Sequence, residues 1–262
     1  MQLIRMLICY VRYRLKAQTR FSIHSPFVYN LVTQILRDKT EYAEYNKVES
    51  IVARMRQMKD IIEVSDFGAG AGKRRYLTRM LPIHKIVDNS GVDRNRGRLL
   101  FRIARHYSVD TIVELGTSLG ISTMYLSSAR PSAKIVTIEG CSTKAEMASK
   151  CFDALDTTNI DIELGNFIHV LPKLLPNLPA PDLVFVDGDH RKESTLRYFD
   201  LLLPYVANDT IIIFDDIYWS KGMEEAWRQI VAHRQVTVSI DLFDVGIIFF
   251  RKELSKQHFV IR

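Results

Sequence analysis

Cysteine is scarce in this chain: Cys9, Cys141 and Cys151 are the three, and no pair is spaced as CxxC. That argues against a disulfide framework or a zinc site, and it fits a reducing compartment. Long apolar runs are missing as well. No stretch approaches the ~18–20 residues a membrane-spanning helix needs. In residues 1–20 the apolar positions are interrupted by Arg5, Arg12, Arg14 and Lys16, which is not the layout of a signal peptide. A cytoplasmic chain without a transmembrane segment is therefore expected. No internal repeat and no low-complexity tract is present. The 262 residues suffice for one large α/β domain plus an accessory segment, not for two full α/β domains.

Charge is present in abundance but unevenly placed. Residues 1–105 hold 21 Lys and Arg against 9 Asp and Glu, whereas residues 106–262 hold 15 against 21. Ten of the basic residues fall in 73–105. Either the basic front docks on the acidic back and neutralises it, or it meets a partner or substrate carrying phosphate or carboxylate.

Residues 1–16 read as a basic helix with Ile4, Ile8, Val11 and Leu15 on one stripe, expected to dock on the protein rather than on an anionic membrane. Ser25-Pro26 opens a second helix, and 43–58 a third. From Phe67 to Arg98 periodicity lapses, so this stretch reads largely as a loop, with a helix at 99–106. The pattern then becomes regular. Apolar strands at 111–115, 134–138, 160–164, 182–186 and 210–214 alternate with helical segments, and two strands, 236–241 and 246–251, close the chain. Such alternation means a parallel sheet covered on both faces. The last two strands lack room for a crossover helix and must pair antiparallel.

The chemistry-bearing run is Val113-Glu114-Leu115-Gly116-Thr117-Ser118-Leu119-Gly120-Ile121-Ser122-Thr123. A strand stops at Gly116, a turn follows, and a helix opens after Gly120, presenting free N–H groups. The next strand ends in Glu139-Gly140, about 20 positions past the glycines, where an acid can accept from two ribose hydroxyls. The spacing is GxxxG, not the GxGxxG of dinucleotide enzymes, so an NAD-dependent dehydrogenase is disfavoured. A second Gly-rich run, 66–73, fails both as a phosphate-binding loop and as a dinucleotide loop; it reads as a flexible segment or lid carrying Lys73, Arg74 and Arg75.

Three acids follow two adjacent strands: Asp187 after LVFV, and Asp215 and Asp216 after IIIF. Clustered carboxylates repel unless a cation or proton intervenes, and oxygen-only ligands suit a hard ion such as Mg²⁺. His190 stands three residues past Asp187 as a base, a metal ligand or a helix cap.

Residues 97–252 resemble the catechol and caffeoyl-CoA O-methyltransferase group of class I S-adenosylmethionine-dependent methyltransferases, on VELGTSLGISTMYL, VTIEG, LVFVDGDH and IIIFDDIYW. The resemblance implies a seven-stranded Rossmann-like sheet ordered 3-2-1-4-5-7-6, with its last strand antiparallel. Residues 99–262 would form this domain, and 1–98 a helical, basic N-terminal extension. It also implies S-adenosylmethionine as cofactor. Glu114, Gly116 and Gly120 would surround the methionine part, with Thr117, Ser118, Ser122 and Thr123 completing the turn and helix start. Glu139 and Gly140 would meet the ribose, Asn166 and Phe167 the adenine, and Asp187 would border the donor. Asp187 and His190 would be catalytic, and Asp187, Asp215 and Asp216 would hold a divalent cation, although Asp216 replaces the family's Asn and His190 its Lys. The expected reaction is O-methylation of a small-molecule hydroxyl, on an acceptor that is anionic if the basic front serves it, in a chain that dimerises as family members do. The rivals are a nucleic-acid or protein methyltransferase, disfavoured by DGDH where an NPPY-like run would stand, and a regulatory protein that binds the cofactor without turnover.

Overall fold

The computed structural model describes residues 2–66, 77–89 and 92–262. Helices α1 (Gln2–Lys16), α2 (Pro26–Leu31) and α3 (Ala43–Met55) lead into a hairpin of β1 (Ile61–Asp66) and β2 (Leu77–Pro82), then α4 (Ile83–Asp88) and α5 (Arg94–His106). The alternating part follows: β3 (Thr111–Leu115), α6 (Ile121–Ala129), β4 (Lys134–Glu139), α7 (Ser142–Leu155), β5 (Ile160–Leu164) and α8 (Phe167–Leu174). It continues through β6 (Leu183–Val186), α9 (Lys192–Leu202), β7 (Ile211–Asp215) and α10 (Lys221–Ala232) to β8 (Val238–Asp241), β9 (Val245–Phe249) and β10 (Gln257–Val260).

The large sheet runs β10-β8-β9-β7-β6-β3-β4-β5. Strands β3 to β7 are parallel, and β9 enters antiparallel between β7 and β8. This is the expected order 3-2-1-4-5-7-6 with an eighth strand added, β10, which pairs parallel to β8. The central strands are apolar throughout because both faces are covered, and their side chains alternate between two cores. Ile112, Phe185, Ile213 and Ile247 point into one core with Leu31, Val48, Leu100, Leu126 and Phe152. Val113, Val184, Ile212 and Ile248 point into the other with Leu171, Phe199 and Trp227. The front helices thus build one of the two layers over the sheet, and the 98/99 division expected from sequence falls inside α5.

The sequence reading of 67–98 as largely loop needs correction. Leu77–Pro82 is a strand paired with Ile61–Asp66, Ile83–Asp88 is helical, and the helix expected from residue 99 begins at Arg94. Both features are invisible to periodicity. The hairpin is half exposed, and the first turn of α5, Arg94-Asn95-Arg96-Gly97-Arg98, carries no apolar side chain. Asp93 starts this helix by accepting from the Arg96 N–H at 2.8 Å. The glycine-rich run with Lys73, Arg74 and Arg75 lies outside the described residues.

Helix α1 also departs from expectation. Its stripe of Ile4, Ile8, Val11 and Leu15, with Leu7, faces outward. The docked side is Arg5, Cys9 and Tyr13: Arg5 donates to the Tyr218 carbonyl and pairs with Glu224, and the Tyr13 hydroxyl donates to the Ile261 carbonyl. Just beyond α1, Gln18 forms a parallel bridge to Ile261, its N–H reaching the Val260 carbonyl at 2.7 Å. Charge neutralisation is likewise more local than expected. Arg94 and Arg98 share Glu49, Arg98 also holds Glu41, and Arg105 pairs with Glu44, all within the front; Arg5 and Arg96 reach acids of the back half.

Candidate functional site

The C-terminal ends of β3, β4, β6 and β7 open on a cavity of about 630 Å³, where an open α/β sheet presents its ligand site and within the size range of small-molecule pockets. At the end of β3 the chain turns at Gly116, whose φ is +108°. A Cβ there would stand 2.0 Å from the Asp187 carbonyl oxygen, so only glycine lets β3 and β6 leave the sheet side by side. Ser118, itself left-handed, directs its N–H at Glu139 Oε2 at 2.8 Å, while the Cys141 N–H donates to Oε1 at 2.9 Å. Two backbone donors therefore fix a nearly buried carboxylate at the cavity edge and leave it further lone pairs.

Of the residues expected at the cofactor, Gly116, Ser118, Glu139, Gly140, Asn166, Phe167 and Asp187 line this cavity. Glu114, Thr117, Gly120, Ser122 and Thr123 do not; they belong to a buried layer beneath it. Glu114 is fully buried and accepts from Thr123 at 2.5 Å and Thr137 at 2.6 Å, and Thr137 meets Thr117 at 2.6 Å. Burial raises the Glu114 carboxyl above its ordinary range. Gly120 opens α6, packed against the Phe152 ring. Asn166 caps α8 by accepting from the Ile168 N–H, and Phe167 lies edge-on to Tyr198 and against Gly188.

The acid cluster has an organisation the sequence did not reveal. Asp215 is fully buried, and its Oδ2 accepts from Arg96 Nη1 at 2.5 Å; the same nitrogen lies 3.7 Å from Asp216 Oδ1. Burial works against the Arg96 charge, but Asp215, then Asp216 and Asp187, outweigh it and keep the guanidinium charged. Burial, and after it the charges of Asp215 and Asp216, drives the Asp187 carboxyl well above its ordinary range. Asp215 itself is pushed up to about 7, by burial first and Asp216 second.

The divalent-cation expectation does not fit this geometry. Among the described residues no three Asp, Glu, His or Cys side chains are grouped to hold a metal ion. The reason is visible: Asp187 and Asp216 line the cavity, whereas Asp215 is absent from its wall and turned onto Arg96. Arg96 lines the cavity too, and sequence reasoning missed it. The ten bases of 73–105 were a signal that a cation was at hand, but nothing in their spacing singles out this one. His190 Nε2 stands 3.5 Å from Asp187 Oδ1, and burial lowers its pKa below the ordinary imidazole value. Asp189, His190 and Asp216 all have left-handed backbone, a concentration of strain typical of functional loops. Trp219 forms part of the wall and is 42% exposed.

Comparison with known proteins agrees with this architecture. Residues 113–217 match the model of a methyltransferase domain family. A catechol O-methyltransferase from Niastella koreensis is 31% identical over 129 residues, which cover 48% of this chain; the chain spans 58% of that relative's length. An O-methyltransferase of Streptomyces achromogenes, solved with S-adenosylmethionine, superposes with a TM-score of 0.57 at 20% identity over 85% of this chain and 94% of its own. A methyltransferase of Podospora anserina, solved with S-adenosylhomocysteine, gives 0.62 at 14% identity, covering 87% and 97%. The structural likeness establishes the fold, and the likeness to class I methyltransferases read from the sequence holds.

Proposed function

We propose that this chain transfers the methyl group of S-adenosylmethionine to a hydroxyl group of a small molecule. The observation that carries the reading is Glu139: a carboxylate at the end of the second strand of the sheet, held by the Ser118 and Cys141 N–H groups beside the Gly116 turn, on the wall of a cavity of cofactor size. The cofactor, when bound, supplies a sulfonium methyl already activated for in-line transfer. What remains for the chain is to place the acceptor, exclude water and take one proton. Glu139 holds the ribose hydroxyls and Phe167 offers an apolar face for the adenine. His190, partly buried beside Asp187, takes the hydroxyl proton as the oxygen lone pair forms its bond to the methyl carbon. The C–S bond pair stays on sulfur, and Asp187 orients the imidazole.

The test is a thermal-shift and calorimetric titration with S-adenosylhomocysteine, followed by turnover of S-adenosylmethionine on a panel of phenolic and aliphatic hydroxyl compounds. His190→Ala is expected to lower kcat by about 100-fold while leaving product affinity within a factor of ~3. Absence of any S-adenosylhomocysteine binding would sink the reading. Binding without turnover on any acceptor would move the chain to a regulatory role.

A further inference from the structure

We infer that the cation of the acceptor half of this site is Arg96 and that the reaction needs no divalent metal, an inference that rests on the methyl-transfer reading. Arg96 comes from α5, while all three acids come from β6 and β7 ends, and its side chain is only 14% exposed. A guanidinium is charged at every accessible pH, so one neutralising charge is permanently supplied. Asp215 is committed to this guanidinium through Oδ2 and is absent from the cavity wall, so it is not offered to a metal ion entering there. A metal ion would have to displace a buried, charge-assisted bond of 2.5 Å to reach Asp215.

The helix shows what this placement costs. Cations at a helix N-terminus oppose the macrodipole, yet α5 opens with Arg94, Arg96 and Arg98 and has no acid in its first turn. Gly97, beside Arg96, lets α5 press onto Tyr125 of α6, where a Cβ would stand 2.2 Å from the ring. The close approach delivers the guanidinium to the strand ends. Arg96 borders the cavity, where its charge stabilises negative charge on the acceptor oxygen.

The experiment titrates Mn²⁺ into the full chain, followed by paramagnetic resonance, alongside turnover after exhaustive chelation. The wild type is expected to show no saturable Mn²⁺ binding up to about 1 mM and to keep its rate in chelator. Arg96→Met should lower kcat by about 100-fold, with Arg96→Lys retaining more of the rate. Saturable Mn²⁺ binding by the wild type that Asp216→Ala removes would overturn the inference, as would an unchanged kcat in Arg96→Met. If Arg96→Met does not fold, the wild-type titration and the Lys variant still decide. Loss of S-adenosylhomocysteine binding is a separate outcome and would count against the methyl-transfer reading instead.

Helix α1 carries an interaction of its own, independent of the reaction. The structure assigns its outer face to an anionic lipid surface. Ile4, Leu7, Ile8, Val11 and Leu15 form one stripe, each between 46% and 82% exposed, opposite the docked Arg5, Cys9 and Tyr13. The helix contains Arg5, Arg12, Arg14 and Lys16 and no acid, and the last three are exposed. Phe21, 82% exposed, extends the apolar face just past the helix. An apolar stripe edged by bases matches the boundary of an anionic bilayer. The same helix in a second copy would bring like charges together.

Co-sedimentation with phosphatidylcholine vesicles containing about a third phosphatidylglycerol is expected to pull down the full chain, with at least ~10-fold weaker binding to phosphatidylcholine alone and loss on raising salt. Val11→Glu, at an exposed position, should abolish sedimentation without changing the fold. No sedimentation at low salt would overturn the assignment. So would a dimer in analytical ultracentrifugation that Val11→Glu dissolves.

Discussion

Replacing Glu139 by alanine is expected to lower the affinity for S-adenosylhomocysteine by at least about 100-fold, because hydrogen bonds to a charged acceptor contribute about 1.5–3 kcal/mol each and, on the proposed reading, the carboxylate serves two ribose hydroxyls. The carboxylate does a second job. Its two oxygens already accept from the Ser118 and Cys141 N–H groups at 2.8 and 2.9 Å, so alanine also releases the turn after Gly116. Glu139→Gln separates the two. The amide keeps one acceptor oxygen, so the loss should shrink to about 10-fold. Isothermal titration on the three proteins reads both steps. If alanine leaves the affinity unchanged, Glu139 is only a brace for the turn and the ribose assignment falls.

Gly116→Ala is expected to be the most damaging single methyl in the molecule. A φ of +108° costs an alanine conformational energy by itself, and the added Cβ would meet the Asp187 carbonyl oxygen at 2.0 Å. That oxygen cannot give way, since β3 and β6 are hydrogen-bonded in register up to Leu115 and Val186. The expected loss is at least ~3 kcal/mol, or a fall of roughly 10 °C in melting temperature for a chain of this length. S-adenosylhomocysteine should no longer stabilise the variant. Gly222→Ala is the control. There the nearest atom to an added Cβ is the Lys192 side chain at 3.3 Å, and the change should stay within ~1 kcal/mol. Equal effects of the two substitutions in urea denaturation would show that the turn tolerates a side chain.

The glycine-turn side of the cavity was legible because its signals are local. An apolar strand, a glycine turn, a helix start and an acid at the next strand end all fall between residues 113 and 139, and the chain order reproduces their spatial order. The acid side of the cavity was legible only as a list of acids. Which acid reaches the cavity depends on Arg96, 119 residues before Asp215 in sequence and set in a helical turn without apolar periodicity. A surplus of carboxylates says that something positive must be near; it does not say whether that is a metal, a proton or a guanidinium. Strand β10 escaped for a related reason. Gln257–Val260 is four residues long at a sheet edge, and its pairing with β8 defines it more than its composition does. Helix α1 shows the limit of amphipathicity. Its apolar stripe is real, but Arg5, Cys9 and Tyr13 supply the specific bonds that choose the docked side.

The seam that joins residues 13–18 to residues 257–262 has a consequence for synthesis. The Tyr13 hydroxyl and the Ile261 carbonyl it bonds are 248 positions apart. At about 5–20 residues per second, roughly 10–50 s pass between their appearance on the ribosome. Throughout that interval the Tyr13 hydroxyl lacks the carbonyl it later bonds. The pairing of β10 with β8 brings that carbonyl into place and ends the interval.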